Sequence, residues 1–146
     1  MRRLWFFGLL LACMTPVLQA GLDQAMAEKN LEKRSKLALE NAQQALAGAR
    51  LAYAKGDSTK VPDFLKEVQQ SVELAYTSLK DTGKDPRKSP KYFKKAEIMT
   101  REMMRNMNNF RDEMSVADRP LLDKVRDQVQ GVHEELLLGI MEGKGK

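Results

Sequence analysis

Cysteine and histidine each occur once in this 146-residue chain, at Cys13 and His133. One cysteine excludes an intrachain disulfide framework and a thiolate zinc cluster. One histidine excludes the two Glu-x-x-His motifs of a di-metal carboxylate bundle, and the residue three before it is Gln130 rather than a glutamate. His133-Glu134-Glu135 would need a second histidine at 137 to make a zinc-protease helix, and that position is Leu137. Gly-rich phosphate loops, haem-attachment motifs and Ser-His-Asp sets are also lacking. Alternating β-branched runs, the mark of strands, do not occur. The expectation is therefore an all-α, non-catalytic protein with no catalytic residues and no cofactor. His133 itself lies beside an apolar helical stripe and reads as a packed or hydrogen-bonded boundary residue.

The one continuous apolar run is Leu4 to Met14, preceded by Arg2 and Arg3 and followed by Thr15, Pro16 and a small residue at Ala20. A basic start, a short apolar core and this exit describe a secretory signal peptide. The run is shorter than the roughly 20 residues that span a bilayer. Cleavage is expected after Ala20, placing the mature protein in the periplasm or outside the cell. Leu10-Leu11-Ala12-Cys13 resembles a bacterial lipobox, so a lipoprotein anchored at Cys13 is the alternative, and an uncleaved anchor a third. Loss of residues 1–20 lowers the formal net charge from +5 to +3. Without Cys13 the mature chain carries no thiol to oxidise.

From residue 21 onward the sequence is helical in period almost throughout. A first helix is expected over Leu22 to Lys55, stopping at Gly56, with Ala38, Ala42, Ala45, Ala49 and Ala52 as its close-packing face. Its start, from Asp23 to Lys36, has only Met26 and Leu31 as large apolar residues. A helix of about 30 residues would be ~45 Å long and outrun its partners, so this segment is expected to project as an arm. The second helix starts near Pro62, shows Phe64, Leu65, Val68, Val72, Ala75, Tyr76 and Leu79, and ends at Gly83. The third is capped by Ser89, opens on Pro90, and carries Ala96, Met99, Met103, Met107, Phe110 and Met114. The last has Leu122, Val125, Val129, Val132, Leu136 and Ile140 at helical steps, preceded by Ser115 and Asp118 at capping-box spacing. Short loops between four amphipathic helices favour an up-down-up-down four-helix bundle with an extended N-terminal helix. The domain plan is a signal peptide at 1–20, a polar helical arm at 21–36, a helical bundle at 37–142 and a basic tail at 143–146. Tyr53-Ala54-Lys55-Gly56-Asp57 is similar to part of a tetratricopeptide unit but does not recur at that period.

Two features carry functional expectations. Met99, Met103, Met104 and Met107 cluster within a few turns, and thioethers at such spacing select Cu(I); methionine also fills irregular cores and makes deformable binding surfaces. Lys91, Lys94, Lys95, Arg101 and Arg105 form a basic face on the third helix, suited to solvent or to an anionic envelope surface. Nucleic acid is not expected, because Tyr92 and Phe93 are the only aromatics interleaved with these charges. The leading expectation is an exported protein-binding or chaperone-like envelope component acting on another protein. A Met-rich periplasmic Cu(I)-binding protein is the alternative.

Overall fold

The computed structural model describes residues 20–143. The proposed signal peptide up to Gln19, including Cys13, and the last three residues of the tail lie outside the described residues. Five helices account for most of the rest: α1 Ala20–Ala27, α2 Leu31–Ala54, α3 Val61–Asp81, α4 Pro90–Glu113 and α5 Arg119–Glu142. No strand is present among the described residues.

The single helix expected from Leu22 to Lys55 is two helices. Asn30 breaks it: its side-chain oxygen accepts from the Lys33 N–H at 3.0 Å, the hydrogen bond of an N-cap that opens α2. Glu28 closes the turn from the other side, taking the Asn30 N–H at 2.9 Å on its carboxylate and Arg34 Nε at 2.8 Å on its carbonyl. The chain reverses here, so α1 lies against α2 and α3 instead of projecting. Reversal buries Leu22 and Ala25, which a continuous helix would have left in water, while Met26 stays 52% exposed. The expected length mismatch therefore does not arise.

The alanine stripe of α2 is buried as its spacing implied, from Ala38 through Ala52. Gly48 extends the close approach to α3: a Cβ there would stand 2.5 Å from the Phe64 ring. Gly56 and Gly83 stop their helices in left-handed conformations, φ 76° and 68°, that a residue with a Cβ rarely adopts. Ser89 and Asp118 occupy the N-cap positions of α4 and α5, yet neither side chain makes a capping hydrogen bond. Pro90 and Pro120 in the first turns lower the number of free N–H groups to be satisfied. In place of the expected capping box, Ser115 Oγ donates to Asp118 Oδ2 at 2.7 Å. Tyr53 ties this turn to α2, its hydroxyl donating to the same carboxylate oxygen at 3.0 Å and accepting from the Ser115 N–H at 2.8 Å. The Tyr53 ring also meets Phe110 edge-on at 5.8 Å.

One apolar core joins all five helices. α2 and α3 form an antiparallel hairpin, as do α4 and α5. The hairpins stack so that α2 lies beside α4 and α3 beside α5. Those cross-hairpin pairs run in the same direction: Gln128 of α5 meets the Gln69 carbonyl of α3, and Glu135 meets Tyr76 one to two turns further on. The connection between α3 and α4 thus crosses from one hairpin to the other rather than joining adjacent helices.

Candidate functional site

The methionine cluster is built into the core. Met103 and Met107 are fully buried, Met99 is 9% exposed, and Met114 is buried near the end of α4. Met104 is partly buried and packed against the same core. The stripe runs with Ala96 and Phe110 on the inner side of α4, so hydrophobic burial accounts for its spacing. Presenting Met103 and Met107 together to a metal would require opening that core.

His133 is held from α4 on both ring nitrogens. Nδ1 lies 3.1 Å from Thr100 Oγ1, which also donates to the Ala96 carbonyl at 2.9 Å, and Nε2 lies 3.8 Å from Glu97. Glu97 in turn faces Arg101 at 3.7 Å. This places the histidine at the α4–α5 boundary. Among the described residues no group of three His, Cys, Asp or Glu side chains is arranged to hold a metal ion.

A second polar cluster, unmarked by any sequence motif, sits beneath α1. Asn41 Nδ2 donates to Glu67 Oε1 and Ser71 Oγ, both at 2.9 Å, and all three residues are buried. Burial pushes the Glu67 carboxyl above its usual range; the Asn41 hydrogen bond opposes this, and Asp23 of α1 adds to it. Gly21 covers Asn41 so closely that a Cβ would fall 2.1 Å from Oδ1. The network joins α2 to α3 and gives α1 a polar floor, with every member of the triad bonded.

On the outside of the molecule a groove of about 410 Å³ lies between α2 and α4. Leu46, Ala47, Leu51 and Ala54 line its α2 side, and Asn106 and Glu113 its α4 side. Leu51 is 56% exposed. Arg50 closes one end, its guanidinium donating through two nitrogens to Glu113, with Nε–Oε2 at 2.8 Å. That hydrogen bond holds the Glu113 carboxyl below its usual range and the Arg50 guanidinium above its own. The sequence carried a weak trace of this groove: Ala47, Leu51 and Ala54 recur at helical steps beside the alanine stripe. Nothing in one sequence says that α4 leaves that second line uncovered.

Lys91, Lys94, Lys95, Arg101 and Arg105 of α4 are all exposed. None of the described helices is long and apolar enough to cross a membrane. In comparisons with known proteins, the chain matches no family model, no curated protein and no solved structure.

Proposed function

We propose that this chain is an exported, non-catalytic helical protein that holds apolar segments of other, incompletely folded proteins in the groove between α2 and α4. In this reading residues 1–20 are the export signal, and α2 to α5 make a four-helix bundle of two stacked hairpins. The observation that carries it is the open stripe of Ala47, Leu51 and Ala54 over buried Leu46, rimmed by Gln43, Asn106 and the Arg50–Glu113 pair. An apolar floor with a few polar groups at its edge suits an apolar segment whose backbone needs hydrogen-bond partners. A volume of about 410 Å³ is at the small end of ligand sites and fits a short stretch of side chains rather than a folded domain.

The test is suppression of light scattering from a thermally unfolding client enzyme mixed with the full chain. Wild type should delay aggregation, and Ala47→Asp with Leu51→Asp should abolish the delay while the circular dichroism spectrum stays helical. Undiminished suppression by the double variant, or none by wild type, overturns the proposal.

A further inference from the structure

Between residues 91 and 105 the exposed positions of α4 are, apart from Ile98 and Glu102, all cations: Lys91, Lys94, Lys95, Arg101 and Arg105. Among the described residues Lys94, Lys95 and Arg105 have no carboxylate within ion-pair distance, and Lys91 lies over the Tyr92 ring at 5.3 Å. Arg101 is the exception, facing Glu97 at 3.7 Å. The span from Lys91 to Arg105 is about 21 Å at ~1.5 Å per residue, long enough to meet several headgroups at once.

Ile98 is the feature that a solvated face does not explain. It is 51% exposed and lies on the far side of α4 from Met103 and Met107, so the core gains nothing from it. Its neighbours at helical steps are Lys94, Lys95, Arg101 and Glu102, so the surface around it is net positive with an apolar centre. A charged face with a shallow apolar insertion is how a helix settles at the boundary between lipid headgroups and acyl chains. Lysine and arginine stems also bury their methylenes along such a boundary while the charges stay at the phosphates.

We propose that the outer face of α4 docks on an anionic lipid bilayer, with the cations on headgroup phosphates and Ile98 at the edge of the hydrocarbon. A soluble polyanion would satisfy the charges and leave Ile98 in water, so lipid is the better fit. Lys91, Lys94 and Lys95 border the start of α2, but none of the five cations lines the Leu51 groove, so the two proposals stand or fall separately.

The experiment is co-sedimentation of the full chain with vesicles of phosphatidylcholine alone and of phosphatidylcholine mixed with phosphatidylglycerol. Residues 1–14, with Arg2, Arg3 and the apolar run, are the same in every variant, so changes in the ratio between the two vesicles read the substituted positions. Each surface cation near an anionic membrane contributes about fivefold in affinity. Lys94→Glu with Arg105→Glu should therefore reduce the preference for anionic vesicles by roughly 25-fold or more. The matched control, Lys66→Glu with Lys124→Glu at exposed positions of α3 and α5, should leave the preference near wild type. Ile98→Ser should weaken binding to anionic vesicles several-fold without changing binding to soluble polyphosphate. Equal losses in the two charge-reversed pairs, an unaffected Lys94/Arg105 variant, or an Ile98→Ser variant that binds vesicles like wild type would each overturn the proposal. The last result, with polyphosphate bound as tightly as vesicles, would assign the face to soluble polyanions.

Discussion

Leu22→Ala distinguishes a docked α1 from a polar arm that merely happens to be helical. Leu22 is 8% exposed, and truncation to alanine removes three of its four side-chain carbons from that contact. At about 0.8 kcal/mol per buried methylene, the transfer cost is roughly 2.4 kcal/mol. A cavity contribution would raise it in the middle of a core. Here α1 is a short peripheral helix that can slacken toward its neighbours, so about 2 kcal/mol is expected. The loss is also bounded, because a weakened α1 can undock by itself and leave α2 to α5 folded. For a domain of this size the change lowers Tm by roughly 6–12 °C. Met26→Ala is the internal control. It sits on the same helix but is 52% exposed, and surface changes usually stay within about 0.5 kcal/mol. Urea and thermal unfolding of both variants, followed at 222 nm, provide the comparison. If Leu22→Ala unfolds within about 0.5 kcal/mol of wild type, as Met26→Ala should, α1 is not packed in solution and the reasoning fails.

Glu67 supplies a pH dependence whose sign is set by its burial. Its pKa is raised in the folded chain, so the native state holds that proton more tightly than the unfolded state. Its contribution to stability then declines as pH rises from the ordinary carboxylate range through the folded pKa. Glu67→Gln removes that decline, so urea midpoints of the variant should gain on wild type between about pH 4 and pH 7; a constant difference across that range would refute it. Gly48→Ala forces a Cβ to within 2.5 Å of the Phe64 ring, and the resulting overpacking should cost about 1–3 kcal/mol by denaturant unfolding. Met103→Ala should cost about 2–5 kcal/mol, because the side chain is fully buried. Titration of the folded protein with Cu(I) should show no tight site that Met103→Leu and Met107→Leu remove together, since both thioethers point into the core.

Much of the secondary structure was legible because it rests on local chemistry. Pro62, Pro90 and Pro120 in first turns, Gly56 and Gly83 at helix ends, and apolar residues at steps of three and four act within a few residues of themselves. They marked α3, α4 and the end of α2 without any tertiary information. The break at Asn30 was also locally encoded, by an asparagine followed by a glutamate in the first turn of α2. Good helix formers on both sides masked it, since intrinsic propensity does not distinguish one long helix from two short ones.

Helical character of the described chain, and which face of each long helix is apolar, were already set by the sequence alone. Those properties come from backbone preferences and from side-chain identity at helical spacing. Tertiary structure alone decided how the faces were used. Whether Leu22 meets water or protein depends on a chain reversal that becomes favourable only when α2 and α3 together offer a surface to cover. Whether Met103 is a ligand or a core residue depends on what lies opposite, and the stacked hairpins place the core there. The Asn41–Glu67–Ser71 network required residues of two helices to be brought together. The groove at Leu51 arises because α4 runs beside α2 and leaves one line of its apolar side chains uncovered, a matter of how rigid cylinders of finite width fit together.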